Sequence, residues 1–288
     1  MFPDMKKNDG GLRIKGLRKK SAAGIPLVSI VTVVYNGAAH LEETILSVVD
    51  QDYGNLEYII VDGGSTDGTL DIIKKYEHKI DYWVSEADKG IYDAMNKGIW
   101  LAEGELIGII NADDCYCTGT VRTVVEKSLK HSEAHVFHGD MEFLHTSGVR
   151  EIWRSKDTLT AYDVYRMPVN HATVFVRAGC YKECGYFNTR YRIAADYDLV
   201  LKFLLDCRLN FHYIHTTMAF MRGGGASNAY SLATLRDFRE ILRTRRVPRI
   251  VALRGIIGYL RLIFLQSCKK IKPLSYVFSF FRALRAMV

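Results

Sequence analysis

Between Leu27 and Asp114 four short apolar runs alternate with stretches of helical period, and that alternation constrains the fold more than any other feature. The runs are Leu27–Val34, Tyr58–Val61, Tyr82–Val84 and Leu106–Ile110. Each is too short for a stable helix, and each is apolar enough to be covered on both faces, as in the middle of a parallel sheet. Between them, Leu41, Ile45, Leu46, Val48 and Val49, then Leu70, Ile72, Ile73 and Tyr76, then Ile91 to Ile99, repeat at helical spacing. Three strand–helix–strand units in series predict right-handed crossovers and an α/β fold with a mostly parallel sheet flanked by helices.

Polar residues recur where these strands end: Tyr35-Asn36, Asp62, Asp88 a few residues on, and Asp113-Asp114. In an open α/β sheet the carboxyl ends of the strands form the rim where ligands bind. Adjacent acids fit a strand-end turn. They also fit a cation site, because two neighbouring carboxylates repel each other and are costly to desolvate unless a cation joins them. The run Gly63-Gly64-Ser65-Thr66-Asp67-Gly68 is not G-x-G-x-x-G and follows the second strand, and no G-x-x-x-x-G-K-[ST] occurs. With neither phosphate-binding loop present, a diphosphate here requires a divalent cation held by one or two carboxylates.

Charge is unevenly spread. Residues 1–24 hold seven Lys/Arg and two acids, and 236–288 hold thirteen and two, whereas 25–235 hold nineteen and twenty-eight. A nucleic-acid binder carries its basic face on the folded domain, so this acidic body with basic ends argues against nucleic acid and for an anionic membrane surface. Residues 1–24, with scattered glycines and no period, read as a flexible lead-in. The six cysteines form no C-x-x-C pair and no zinc spacing, which reads as reduced thiols in the cytoplasm.

The segments Val28–Asn36, YIIVDGGSTDGT (58–69), SEADKGIYDAMNKGI (85–99) and GELIGIINADD (104–114) together resemble the family 2 glycosyltransferases with a GT-A fold, of the bacterial surface-polysaccharide type. The resemblance covers roughly residues 25–225. It implies inverting transfer of a hexosyl, deoxyhexosyl or N-acetylhexosaminyl unit from a UDP or GDP donor to a hydroxyl of a lipid-linked glycan. Carried over by position, it puts Tyr35, Asp62, Asp88 and Asp113 at the donor, with Asp62 at the nucleobase edge. It gives Asp114 to Mg²⁺ or Mn²⁺. It also puts His171 near the acceptor and makes Asp196 the general base.

In the second half, Val136–Asp140 reads as a strand, Met141–Trp153 as a hairpin and Ala172–Val176 as a further strand. A loop histidine satisfied by backbone is an equal reading of His171. Asp196 and Asp198 open a helix, where its dipole stabilises acids in any case. The two lie about 200° apart around that helix, so both cannot face one acceptor oxygen. The chemistry needs one carboxylate to take the proton of the attacking hydroxyl. Arg222-Gly223-Gly224-Gly225-Ala226-Ser227 reads either as a linker or as a loop bordering the acceptor.

The expected organisation is a lead-in (1–24), a glycosyltransferase domain (25–228, divided at 115/116 into nucleotide and acceptor halves) and a basic helical tail (229–288). Within the tail, Ile250–Leu265 is apolar but interrupted by Arg254 and Arg261. It falls short of the ~20 uncharged residues that span a bilayer and suits a helix lying in the interface. A helical cap or dimer contact is the competing reading. The whole then reads as a peripheral enzyme on the inner face of the cell membrane. The rivals are an inactive nucleotide-sugar or glycan-binding module and a sugar-nucleotide pyrophosphorylase. The latter needs a glycine-rich basic loop after the first strand, and Tyr35–Ala39 is not one.

Overall fold

The computed structural model describes residues 8–223 and 231–269. Each apolar run forms a buried strand: β2 (Val28–Val34), β3 (Leu56–Asp62), β4 (Tyr82–Ser85) and β5 (Leu106–Asn111), with β1 (Asn8–Gly10) preceding them. Helices α1 (Leu41–Val49), α2 (Thr69–Lys75) and α3 (Ile91–Leu101) make the crossovers. The four strands lie parallel in the order β4-β3-β2-β5. Val34 pairs with Asp62, Asp62 with Ser85, and Val33 with Asn111. Their carboxyl ends therefore lie level along one lip.

The second half comprises β6 (Cys115–Tyr116), α4 (Thr120–Lys130), β7 (Val136–Leu144), β8 (Arg150–Trp153), β9 (Phe175–Arg177), α5 (Ala178–Cys184), α6 (Ala195–Leu201) and β10 (Phe211–Arg222). It extends the sheet as β5-β9-β7-β10-β6, with β8 hairpinned on β7. Strand β9 runs antiparallel to both β5 and β7, so the sheet is mostly, not wholly, parallel. It also begins later than the expected Ala172. Residues His171–Thr173 form a 3-10 turn, held where Thr173 Oγ1 reaches the Asn170 carbonyl at 2.8 Å.

Apolar side chains on the two faces form two cores. One packs α1 and α4 through Leu41, Ile45, Val48, Val121 and Val124. The other packs α3, α5 and α6, and α3 lies so close that a methyl on Gly98 would sit 2.2 Å from Val31 Cγ1.

The flexible lead-in expected for residues 1–24 is corrected for residues 8–24. β1 pairs antiparallel with β4, and the chain after it runs past the amino ends of β4 and β3. Arg13 ion-pairs with Glu57 and donates to the Leu101 carbonyl at 2.8 Å, while Lys19 reaches Asp81 at 2.9 Å. Glu57 and Asp81 are buried acids on the inner sheet, and a buried carboxylate needs a partner. The bases that look like a solvated tail in the sequence supply it. Residues 1–7 lie outside the described residues.

Helices α7 (Leu232–Thr244) and α8 (Arg249–Lys269) share the second core. Leu235, Phe238, Ile241, Leu242 and Val251 are buried in it. Ser231 caps α7 reciprocally with Thr234. Gly255 lets α8 approach Phe238 and the Tyr165 carbonyl. One face of this segment is thus a helical cap. The opposite face of α8 leaves Ile250, Leu253, Ile257, Leu260 and Phe264 exposed in a row, with Arg254 and Arg261 beside it. Among the described residues no helix is long and apolar enough to cross a membrane. Lys270, Lys272, Phe278, Phe280, Phe281, Arg282 and Arg285 lie outside the described residues.

Candidate active site

The loops after β2 and β3 are stitched together at the lip. The Asn36 amide donates to Ser65 Oγ at 2.7 Å, the Thr66 amide to Asn36 Oδ1 at 2.9 Å, and the Ala38 amide to Asp67 Oδ2 at 3.1 Å. Asn36 takes the left-handed conformation that this tight reversal requires (φ 51°). Gly63 lies between the Asp88 carboxylate and the Tyr35 ring, and a side chain there would collide with Asp88 Oδ2 at 2.6 Å. Tyr35, Asp62 and Asp88 therefore share one corner of the lip. Tyr35 is exposed and Asp88 half-buried, its Oδ1 accepting from the Gly90 amide at 2.8 Å.

Asp62, expected at the nucleobase edge, is engaged by its own loop. It is wholly buried, and Oδ2 accepts from Ser85 Oγ (2.6 Å) and the amides of Ser65 (3.1 Å) and Gly64 (3.2 Å). Oδ1 accepts from the Ser65 hydroxyl. Both oxygens are engaged in shaping the loop.

Asp113 and Asp114 follow β5 at the same lip, where Gly37 approaches Ala112. Asp113 is half-buried, whereas Asp114 is only 1% exposed. Asp114 Oδ1 accepts from the Arg222 amide at 3.3 Å, while Oδ2 and the neighbouring Asn111 Oδ1 are buried with no hydrogen-bond partner among the described residues. Burial, then the charge of Asp113, pushes the Asp114 carboxyl up to about 8 against the pull of Arg222 and Asn111. A carboxylate that desolvated needs a positive partner. No lysine or arginine side chain ion-pairs with Asp113 or Asp114 among the described residues, since Arg222 reaches instead to Glu43. Two orphaned hard oxygens fit Mg²⁺ or Mn²⁺. Among the described residues no cluster of three or more His, Cys, Asp or Glu could hold a metal alone. Donor phosphates would have to complete the coordination shell.

The acceptor-side residues meet elsewhere. His171 and Asp196 line one small cleft of about 20 Å³, walled by Ile109 of β5, Val176, Tyr181 and Phe187. That volume admits about one water. Ile109 stands two residues before Asn111, so the cleft borders the same strand that carries Asn111 at its end. The two acids of α6 divide as their helical spacing predicts. Asp198 is buried and held by Arg245 through both carboxylate oxygens. Asp196 is half-buried, and its Oδ1 accepts from the Tyr197 amide at 2.8 Å and the Tyr92 hydroxyl at 3.0 Å. Its Oδ2 has no partner among the described residues.

Three contributors are not singled out by the sequence alone. Asn111 sits within the strand-end motif, yet nothing in the motif marks it as a ligand. Tyr92 lies at the first turn of α3, where an aromatic reads as core. Arg245 belongs to the basic tail but neutralises Asp198 and Asp206. Of the glycine loop, residues 224–227 lie outside the described residues.

The sequence pattern of glycosyl transferase family 2 matches residues 29–182. The PGL/p-HBAD biosynthesis glycosyltransferase of Mycobacterium bovis (BCG) is 31% identical over 255 residues, covering 82% of this chain and 98% of that one. Among solved structures, S. aureus TarS 1–349 superposes with a TM-score of 0.62 at 20% identity, covering 76% of this chain. The chain spans 64% of that structure's length. TarS 1–349 in complex with UDP-GlcNAc gives 0.64 at 20% identity, covering 83% and 72%. The mannosyltransferase PcManGT from Pyrobaculum calidifontis, in complex with GDP-Man and Mn²⁺, gives 0.58 at 16% identity, covering 95% and 85%. These structures share the fold.

Proposed function

The chain belongs to glycosyl transferase family 2 and moves a sugar from a nucleotide-sugar donor, and we propose that it does so by inverting displacement onto a hydroxyl of a lipid-linked glycan. The carrying observation is the division of labour on α6. Arg245 occupies Asp198, whereas Asp196 has no ion-pair partner among the described residues and lines a cleft walled by Ile109 of β5, the strand that ends at Asn111.

In this reading a UDP- or GDP-sugar lies along the lip, with its nucleobase at the corner formed by Tyr35, Asp62 and Asp88. Asp113 faces the ribose or sugar. Asp114, with Asn111 beside it, would hold Mg²⁺ or Mn²⁺, which supplies Lewis-acid neutralisation of the leaving diphosphate. The GDP-Man and Mn²⁺ bound to PcManGT and the UDP-GlcNAc bound to TarS support a donor of this class. Asp196 Oδ2 takes the hydroxyl proton as the acceptor oxygen attacks the anomeric carbon from the face opposite the diphosphate. His171, in the same cleft, orients the acceptor. Apolar walls exclude water, which would otherwise compete as acceptor.

We place the enzyme on the cytoplasmic face of the membrane, bound peripherally through α8. Support comes from the exposed row Ile250, Leu253, Ile257, Leu260 and Phe264 with Arg254 and Arg261 at its flank.

The test is a pair of substitutions read separately. Asp196→Asn abolishes transfer and leaves donor binding nearly intact, and loss of binding instead would return Asp196 to a structural role. Asp114→Ala and chelation each suppress release of nucleoside diphosphate, and release unaffected by either removes the metal from the reading.

A further inference from the structure

Tyr92 and Asp196 lie 104 residues apart and on different halves of the sheet, yet they meet. Tyr92 is the second residue of α3 and follows Asp88, at the donor corner, by only four positions. Its ring stacks on Phe187 with centroids 5.5 Å apart, which fixes where the hydroxyl arrives. One turn on, Asn96 grips the Phe187 backbone from both sides, donating to its carbonyl and accepting from its amide at 2.9 Å each. Both ends of the contact are thus anchored by the same helix.

The phenol has one proton and faces two acceptors, the Ile193 carbonyl at 2.7 Å and Asp196 Oδ1 at 3.0 Å. Neither can donate to it while Asp196 is ionised. Burial, then the charge of Asp196, pushes ionisation of the phenol far up, so it remains a donor at any working pH. Oδ1 is also tied to the Tyr197 amide. Two donors thus hold Oδ1, no hydrogen bond reaches Oδ2 among the described residues, and Asp196 lines the cleft.

We infer that Tyr92 is a positioning residue for the proton transfer: its hydroxyl holds Oδ1 of ionised Asp196 so that Oδ2 faces the acceptor hydroxyl. This rests on the reading of Asp196 as the base. When Asp196 takes the acceptor's proton, the Tyr92 hydrogen is free to turn to the Ile193 carbonyl. The same helix begins at the loop bearing Asp88, so the segment that covers the donor also sets the base.

The other polar groups facing the cleft are His171 from the turn before β9 and Tyr181 from α5. Asp198, on Asp196's own helix, is neutralised by Arg245. None of these replaces a donor lost from Oδ1.

The experiment is Tyr92→Phe in the full chain, assayed for transfer, for donor hydrolysis without acceptor, for thermal midpoint and for kcat against pH. A hydrogen bond to an ionised group sets the scale, on the order of 10- to 100-fold in kcat. We expect that loss in transfer, with donor KM and hydrolysis within twofold and the midpoint nearly unchanged. The kcat–pH profile of Tyr92→Phe should differ from that of the wild type, because the proton-accepting group has lost a donor. Wild-type kcat and profile in Tyr92→Phe, with Asp196→Asn inactive, overturns the assignment. So does a variant whose hydrolysis and transfer fall together with its stability, which marks a role in the core. Transfer surviving in Asp196→Asn refutes the base itself, a failure that the Tyr92 results cannot produce.

Discussion

Arg245 of the α7–α8 connection holds Asp198 of α6 by two parallel hydrogen bonds of 2.8 Å each. Asp198 is buried, and the guanidinium also reaches Asp206. The pair fixes the helix that presents Asp196 and takes the neighbouring acid out of the chemistry. Removing one member of such a pair leaves an uncompensated buried charge, at a cost of about 3–5 kcal/mol. Arg245→Met should therefore lower stability by that order in urea denaturation. The fraction that remains folded should keep donor binding. Stability within about 1 kcal/mol of wild type would show the pair to be solvated.

A second internal pair makes a parallel prediction at the other end of the chain. Glu57 accepts from the Glu103 amide at 2.9 Å and from Ser29 Oγ, and Arg13 neutralises it. Arg13→Met should cost about 2–4 kcal/mol, because the carboxylate stays buried after its partner has gone. The double variant with Glu57→Gln should recover part of that loss. No recovery in the double-mutant cycle would mean that the cost lies in the packing of residues 8–24.

These pairs mark the boundary of what the sequence reveals. Strands β2 to β5 and their crossovers are legible because burial on both faces writes continuous apolar runs, and polar residues follow at each strand end. The use of Arg13, Lys19 and Arg245 is hidden, because a base that serves a buried acid looks the same in one dimension as a base in water. Their partners, Glu57, Asp81 and Asp198, sit in apolar runs or at a helix start, where each has an ordinary local explanation. Tyr92 is hidden for the opposite reason, since an aromatic on the inward face of α3 reads as packing. Asp62 is legible by its position, but its enclosure by Ser65 and Ser85 depends on loops whose closure no local pattern encodes.

Gly98 places α3 against Val31, and a methyl there has no room. Val31 is β-branched and buried in the central strand, so the helix must move instead. Gly98→Ala should destabilise by about 1–3 kcal/mol. It should also lower kcat by more than it lowers donor affinity, because α3 carries Tyr92. Unchanged kcat with reduced stability would show that the displacement does not reach the helix's first turn.

His138 on β7 is fully buried, stacks on Tyr213 with centroids 5.6 Å apart and has no hydrogen-bond partner for either ring nitrogen among the described residues. Burial, helped by His212 and opposed by Asp140, depresses it from 6.5 to about 4. The folded state thus prefers neutral imidazole, and the unfolded chain binds the proton first. Stability should be steady above about pH 6.5 and fall as pH drops toward 4, by roughly 3 kcal/mol once the unfolded imidazole is charged and the folded one is not. His138→Phe should flatten that segment of the stability–pH curve. An unaltered slope in the variant would assign the acid sensitivity to the carboxylates.

The exposed row on α8 makes the last prediction. Ile250, Leu253, Ile257, Leu260 and Phe264 recur at alternating steps of three and four, so they form one stripe, set apart from the buried face that carries Val251 and Gly255. Water gains nothing from such a stripe, whereas an interface of apolar chains under anionic headgroups satisfies both it and the adjacent Arg254 and Arg261. Because the buried face of α8 packs on Phe238, truncating the helix would damage the core and confuse the result. Ile257→Asp with Leu260→Asp leaves that packing intact. Cosedimentation with anionic vesicles should fall at least tenfold for this variant, with the thermal midpoint kept. Binding to neutral vesicles should be weak for both proteins. If the variant still binds and instead loses a concentration-dependent dimer, the stripe joins two copies of the chain.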